Sequence, residues 1–231
     1  MKAAVLTEYR KIEWKEVPTP EVNESGVLVR VTYASICGSD QHVFNGEFHP
    51  RSKLPLIQGH EFVGVVERVG GAVTKFKPGD RVAVDPIYWC GKCPACERGH
   101  YPACTTLKLV GIDSDGGFAE FAAVPEFMLY PIDPRISDRD AALIEPYSIG
   151  FHASKRAGVQ PEDSLAMFGA GKIGQSIIQA AKTITSNTVF AVDVLPERLA
   201  ILTRAYPDVI AINATEADPV GLETARAIFP A

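Results

Sequence analysis

Short apolar runs separated by glycine and proline dominate the first half of the chain. Three of them, Val27–Tyr33, Phe62–Val69 and Arg81–Val84, are rich in valine and bounded by turn residues. This composition and spacing predict β-strands. Between the first two runs, residues 35–43 are predicted to form a short helix. Together these elements indicate a small β-barrel with insertions and not a parallel sheet.

From about residue 153 the pattern changes. The apolar run Ser164–Gly169 leads into a segment where isoleucine and alanine recur at helical spacing. A second strand at Val189–Val194, a second helix at Pro196–Tyr206 with proline at its first position, and a third strand at Val209–Asn213 follow. Strand–helix–strand–helix–strand is the start of a doubly wound parallel sheet.

These patterns predict an α/β protein with two domains, residues 1–152 and residues 153–231. A complete dinucleotide-binding fold is built from two βαβαβ halves. We therefore expect the second domain to be the first half of such a fold. The chain would then be truncated, or a fragment of a longer protein.

The overall composition narrows the class of protein. The chain has 231 residues, of which 46% are apolar, so it can bury a substantial core. Its net charge of −5 argues against nucleic acid as a partner, because phosphate binding requires a basic surface. It has no apolar run of about 20 residues for a membrane span, and we expect its first apolar segment, which is too short for a secretory signal, to be a strand. We expect a cytoplasmic protein with neither nucleic-acid nor membrane partners.

The five cysteines fall in two places. Four form a C-x2-C-x2-C-x7-C run, consisting of Cys90, Cys93, Cys96 and Cys104. Four thiolates this close in sequence can surround one tetrahedral zinc ion and close its coordination sphere. The odd cysteine count without an export signal disfavours disulfides. An iron–sulfur cluster is the other alternative, and the x7 gap and the absence of proline after Cys104 fit it poorly.

A glycine-rich motif follows the first strand of the second domain. Gly169-Ala170-Gly171-Lys172-Ile173-Gly174 matches G-x-G-x-x-G and opens a predicted helix, whose N-terminus can receive phosphates. Asp193 ends the next strand, 19 positions after Gly174. A carboxylate there accepts both ribose hydroxyls and repels a 2′-phosphate, which predicts NAD and not NADP. Arg198 is either near the adenine end or an exposed helix arginine. The predicted cofactor residues are Gly169, Gly171, Ile173, Gly174, Asp193 and Arg198.

Several further motifs occur in one order along the chain. They lie at residues 37–42 (C-G-S-D-Q-H), 59–66 (G-H-E-x-x-G-x-V), 79–82 (G-D-R-V) and 115–121 (D-G-G-F-A-E-F). With the four-cysteine run and the glycine motif, they make the chain strongly resemble the zinc-containing medium-chain alcohol dehydrogenases. The resemblance extends from near the start of the chain to about residue 215.

The resemblance implies a GroES-like catalytic β-barrel followed by a Rossmann domain, with the substrate between them. Cys37 and His60 match the family's catalytic zinc ligands, and Glu61 matches a carboxylate that ligates zinc or lies beside it. The main branch of the family has another cysteine at the remaining ligand position. This chain has Glu145-Pro146 instead, which resembles sorbitol, threonine and related polyol dehydrogenases. Glu145 is then the third ligand, directly or through water.

Ser39 and His42 match the family's proton relay, in which serine, nucleotide ribose and histidine pass a proton to solvent. For His42, packing on a helix face is the alternative. The resemblance implies two zinc ions per chain, one catalytic and one structural, and NAD as cofactor. We also expect the full-length protein to form a homo-oligomer, a dimer or tetramer.

We therefore expect a zinc- and NAD-dependent oxidoreductase that acts on a small-molecule alcohol. Its substrate would be a secondary alcohol of a polyol, sugar acid or hydroxy-amino acid, oxidised to the ketone. One alternative is a truncated, catalytically inactive family member that binds zinc and serves as an interaction protein. Another is a zinc-dependent lyase or reductase on the same fold, which the presence of Ser39 and His42 disfavours.

Overall fold

The chain divides into two compact units in a computed structural model that describes residues 1–215. The first unit is Met1–Glu145, and the second begins at Pro146. This division and the sequence-based boundary at 152/153 both fall within one helix, Ile144–Arg156. Residues 216–231 of the predicted second domain lie outside the described residues. Within residues 1–215, no helix has the length and apolar character needed to cross a membrane.

The first unit consists mainly of antiparallel strands with short helical insertions. Its strands are β1 (Lys2–Glu8), β2 (Lys11–Glu16), β3 (Gly26–Ser35), β4 (Leu56–Ile57), β5 (Glu61–Val69), β6 (Arg81–Val84), β7 (Ile87–Tyr88), β8 (Lys108–Leu109), β9 (Phe121–Pro125) and β10 (Leu129–Pro131). Its helices are α1 (Gly38–Asn45), α2 (Pro94–Glu97) and α3 (Asp138–Ala141), with 3-10 turns at Tyr101–Ala103 and Glu126–Met128.

Most strands of this unit lie in two sheets. Five strands pair in the order β10-β6-β5-β3-β9, and three in the order β2-β1-β4. The core of the larger sheet is formed by buried side chains such as Val29, Phe62, Val66 and Val82. The three valine-rich runs are strands β3, β5 and β6, as predicted.

The helix predicted from residue 35 begins later than expected. Ser35 pairs with Glu61 in the β3–β5 ladder, so the strand continues through that residue. Cys37 then has an extended backbone and is the N-cap of α1. The prediction of a helix here is confirmed, and its start is corrected to Gly38.

A glycine turn packs tightly against the segment that leads into β5. Gly116 N–H donates to the Ile57 carbonyl (2.7 Å) and Gly117 N–H to the Gly59 carbonyl (2.8 Å). A Cβ atom on Gly116 would lie 2.1 Å from the Gly59 oxygen, and one on Gly117 would lie 2.4 Å from the Phe62 ring. The D-G-G-F motif therefore requires glycine for close backbone approach.

The second unit is a parallel α/β layer. It contains β11 (Leu165–Phe168), α5 (Lys172–Ala181), β12 (Val189–Asp193), α6 (Pro196–Ala205) and β13 (Ile210–Asn213), preceded by α4 (Ile144–Arg156). The strands are parallel in the order β11-β12-β13. Ile178, Ala191 and Leu202 are buried between the helices and the sheet. The predicted strand–helix–strand–helix–strand order is confirmed, with Pro196 as the first residue of α6.

Candidate catalytic metal centre

The first unit brings Cys37, His60 and Glu61 together. One ligand atom from each residue lies within 4.8 Å of the other two. Cys37 directly precedes α1. His60 directly precedes β5, and Glu61 is the first residue of that strand. His60 and Glu61 are buried and Cys37 is half-buried. A thiolate, an imidazole and a carboxylate are all zinc donors, so this group fits a zinc ion.

Asp40 binds the backbone of one of these residues and faces the side chain of another, an arrangement that the sequence analysis did not predict. The Asp40 side chain is buried; its Oδ2 accepts a hydrogen bond from the Cys37 backbone N–H (2.8 Å). Its Oδ1 lies 3.7 Å from His60 Nδ1. On the other side of the ring, His60 Nε2 lies 3.4 Å from Ser39 Oγ. The 3.7 Å separation exceeds hydrogen-bond distance, so Asp40 acts on the His60 ring through its charge and not through a hydrogen bond.

The protonation preferences of this group favour the metal-binding form of the thiol. The hydrogen bond with His60 lowers the pKa of the Cys37 thiol against an opposing effect of burial. Burial by itself lowers the pKa of His60, but Cys37 and the charge of Asp40 outweigh it, so the net shift is upward. Burial raises the pKa of Asp40, and the Cys37 N–H partly offsets this effect.

Glu61 and Glu145 differ in their placement. The fully buried Glu61 carboxylate accepts a hydrogen bond from Ser35 Oγ, a partner not identified from the sequence. Glu145 is half-buried in the first turn of α4. It is not part of the group whose ligand atoms lie within 4.8 Å of one another. Its charge is nevertheless near enough to contribute to the raised pKa of His60.

The two residues assigned to the proton relay lie one turn apart on α1. Ser39 is beside His60, as described above. His42 is exposed, and its Nδ1 lies 2.5 Å from Glu47 Oε2. The imidazole also lies against the Phe48 ring, with a centroid separation of 6.2 Å. Helix α1 thus runs from the candidate ligands toward solvent.

The four-cysteine run forms a second, separate cluster. The sulfur atoms of Cys90, Cys93, Cys96 and Cys104 all lie within 4.8 Å of one another, and all four are free thiols. The Cys93–Cys96 and Cys90–Cys96 sulfur separations are 3.5 Å and 4.0 Å. A tetrahedron of about 2.3 Å zinc–sulfur bonds has edges of about 3.8 Å, so the cluster fits a zinc ion with no open position.

Backbone donors and burial act in opposite directions within this cluster. N–H groups of Cys96 and Thr105 lower the pKa of Cys93 to about 5. Burial raises the pKa of Cys96 to about 11. The Cys90 N–H lowers the pKa of Cys104. The thiolate, which is the metal-binding form, is therefore favoured at Cys93 and Cys104.

The glycine motif forms a tight turn between β11 and α5. Gly169 has a φ of 95°, and a Cβ atom on Gly174 would lie 1.8 Å from the Gly169 oxygen. Gly171 is the N-cap of α5, and the half-buried Ile173 lies in its first turn. The N-terminus of a helix at such a turn can receive a phosphate.

Asp193 holds this turn from the end of β12. Its buried carboxylate accepts hydrogen bonds from the backbone N–H of Ala170 (2.7 Å) and of Leu195 (2.8 Å). These two donors lower the pKa of Asp193. Arg198 Nη1 lies 3.5 Å from Asp193 Oδ2, and its guanidinium lies close to Gly171. Arg198 is therefore associated with the glycine turn, although it is about half exposed.

Residues 23–134 match the model of the alcohol dehydrogenase GroES-like domain. The chain is 38% identical over 202 residues to sorbitol dehydrogenase of Bacillus subtilis (strain 168), covering 86% of this chain and 57% of the relative. An alcohol dehydrogenase structure from the archaeon Aeropyrum pernix superposes with a TM-score of 0.85 at 32% identity, covering 98% of this chain and 68% of that one. An Escherichia coli CFT073 alcohol dehydrogenase complexed with NADH gives a TM-score of 0.88 at 34% identity, covering 98% and 65%.

The chain belongs to the zinc-type medium-chain alcohol dehydrogenase family, in its polyol-dehydrogenase-like branch. The resemblance stated from the sequence motifs is confirmed. The predicted fold class, a GroES-like domain followed by a Rossmann-type parallel sheet, is confirmed as well. The chain spans a little more than half the length of the curated sorbitol dehydrogenase that it matches.

Replacing Asp40 by asparagine should weaken metal binding at Cys37 and His60. The substitution keeps the size of the side chain but removes the charge that faces His60 Nδ1. We expect the affinity for Co²⁺ or Zn²⁺ to fall about 10- to 100-fold at this site. Titration with Co²⁺ against a chelator, followed by thiolate-to-cobalt absorption, measures the change. The four-cysteine cluster is the internal control, and unchanged affinity at both sites would contradict the role given to Asp40.

Proposed function

We propose that this chain provides the zinc and NAD sites of a dehydrogenase that oxidises a secondary alcohol to a ketone. The observation that carries the proposal is the convergence of half-buried Cys37 with buried His60 and Glu61 beside Ser39. The substrate class that we propose is a polyol, sugar acid or hydroxy-amino acid. Sorbitol dehydrogenase and L-threonine 3-dehydrogenase, which are 38% and 35% identical relatives, support this class.

Two metal sites with different tasks follow from the two donor sets. The four cysteines would hold a structural zinc, since their sulfur atoms fill a tetrahedron. Cys37 and His60 would hold the catalytic zinc with a carboxylate as third ligand. Zinc in such a site supplies a Lewis acid for the alcohol oxygen, and NAD supplies the hydride acceptor.

For the third ligand we propose Glu145, directly or through water. Cys37 thiolate and one glutamate together balance the two positive charges of zinc, while neutral His60 adds none. Glu61 would then lie beside the metal as the neighbouring carboxylate, fixed by Ser35. The influence of Glu145 on the pKa of His60 supports this assignment.

Two side chains on helix α1, Ser39 and His42, would transfer the proton that alcohol oxidation releases. Ser39 lies next to His60 and can accept a hydrogen bond from the alcohol. His42, one turn further on, is exposed and can pass the proton to solvent. A residue pair three positions apart lies on one side of a helix, which places both members of the relay on the same face.

The glycine turn and Asp193 would bind the nucleotide. The N-terminus of α5 would receive the pyrophosphate, and the Asp193 carboxylate would accept hydrogen bonds from the ribose hydroxyls. Asp193 also fixes the turn through Ala170 and Leu195, so one carboxylate shapes the phosphate site and selects the sugar. Its negative charge excludes the 2′-phosphate of NADP.

The experiment that tests the function is NADH formation from a panel of polyols, sugar acids and hydroxy-amino acids, with zinc content measured in the same preparation. Turnover of a secondary alcohol with NAD supports the proposal. Zinc-replete protein that converts none of them favours the non-catalytic alternative.

Glu145→Ala should reduce turnover through the metal and not through folding. We expect NADH formation to fall at least about 10-fold, because a metal ligand is lost, while zinc in the four-cysteine cluster and NADH binding persist. Parallel measurements of turnover, zinc content and far-UV circular dichroism check this. If Glu145→Ala keeps normal turnover and zinc content, Glu145 is not a ligand, and Glu61→Ala becomes the variant to test.

Asp193→Ser should change the choice of nucleotide. Loss of the carboxylate removes the ribose acceptor and the repulsion of a 2′-phosphate. We therefore expect weaker NADH binding and stronger NADPH binding, measured by fluorescence titration of each. Glu162→Ser, at an exposed position of the same unit, is the control. A wild-type protein that already prefers NADPH would show the assignment of Asp193 to be wrong.

A further inference from the structure

The C-terminal end of α1 turns back so that Glu47 meets His42. Gly46 closes the helix with a φ of 83°, and its N–H donates to the Val43 carbonyl (3.0 Å). The Glu47 N–H then donates to the His42 carbonyl (2.9 Å). This left-handed closure is the one that glycine adopts without strain. The backbone therefore ties Glu47 to the histidine five residues before it.

The two side chains are joined as well. His42 Nδ1 lies 2.5 Å from Glu47 Oε2, and Asn45 Nδ2 donates to Glu47 Oε1 (3.1 Å). These hydrogen bonds lower the pKa of Glu47, and the charge of Arg10 acts in the same direction. Glu47 is therefore an ionised carboxylate at neutral pH. Such a carboxylate only accepts hydrogen bonds, so the proton between the two groups belongs to Nδ1 of the ring.

A neutral imidazole carries one N–H, and the other nitrogen is an acceptor. We propose that Glu47 is a positioning residue that keeps the neutral His42 ring protonated on Nδ1, so that Nε2 remains bare and can accept the proton leaving the active site. This inference rests on the relay in the proposed function and adds a residue to it. In this proposal Glu47 does not contact the substrate or the cofactor. It acts only through the His42 ring.

The alternative is that Glu47 only stabilises the end of α1. A structural role of that kind would not depend on which ring nitrogen holds the proton. The two roles are separable because the backbone bond of Glu47 to the His42 carbonyl remains when the side chain is shortened. A variant that removes only the carboxylate therefore tests the tautomer and not the helix cap.

The test is the ¹⁵N spectrum of the histidine rings in this chain, recorded at about pH 9, where an ordinary imidazole is neutral. His42 signals are assigned by their loss in His42→Asn. We expect wild-type His42 to show a protonated Nδ1 and a bare Nε2. Glu47→Ala should move the ring toward the Nε2–H form. Glu47→Gln, which retains an acceptor oxygen, should keep the wild-type tautomer, and the exposed strand variant Glu16→Ala should change nothing.

An Nε2–H tautomer in the wild type, or a His42 spectrum unchanged in Glu47→Ala, would overturn the proposal. In the active protein, we expect Glu47→Ala to lower kcat roughly 10-fold with KM for the alcohol retained, which is part of the 10²- to 10⁴-fold effect of general acid–base catalysis. Glu47→Gln should restore most of that loss. Since the spectrum requires no turnover, an Nδ1–H tautomer in a protein without dehydrogenase activity would refute the proposed function and leave the tautomer assignment standing.

Discussion

The buried carboxylate of Asp40 is the constraint on which the candidate metal centre depends. One of its oxygens binds the Cys37 backbone at the start of α1, and the other faces the His60 ring at the start of β5. A buried charge is costly unless it is paired or hydrogen-bonded. One oxygen of Asp40 is hydrogen-bonded and the other lies 3.7 Å from His60, so the fold that accommodates this carboxylate also places beside it two candidate metal ligands that are 23 positions apart in the sequence.

Two further features contribute to this arrangement. The glycine turn at Gly116 and Gly117 binds the backbone on either side of Gln58 and admits no side chain. Helix α1 connects the buried end of the site with solvent: Cys37 caps its start, and Gly46 closes its end beside Glu47. The same helix therefore fixes the positions of the candidate ligand Cys37, of Ser39 beside His60 and of the exposed His42.

The sequence predicted what depends on local spacing. Valine-rich runs predicted β3, β5 and β6, and the alternation of strands and helices predicted the parallel sheet. The family resemblance placed Cys37, His60 and Glu61 in one group, but the residues that contact them, Asp40 and Ser35, were not predicted. Asp40 lies within the C-G-S-D-Q-H motif, but the residue that its carboxylate faces, His60, is on another element. Glu47 reaches His42 because Gly46 reverses the chain at the end of α1. The start of α1 was placed too early because pairing of Ser35 with Glu61 extends the strand.

Our central proposal is that this chain holds two metal ions in chemically different sites. Anomalous diffraction at the zinc absorption edge, from crystals of the chain grown with zinc, tests it most directly. The account predicts two peaks, one enclosed by the sulfur atoms of the four-cysteine cluster and one in contact with Cys37 and His60. Full occupancy of the cluster with no peak at Cys37 and His60 would contradict it.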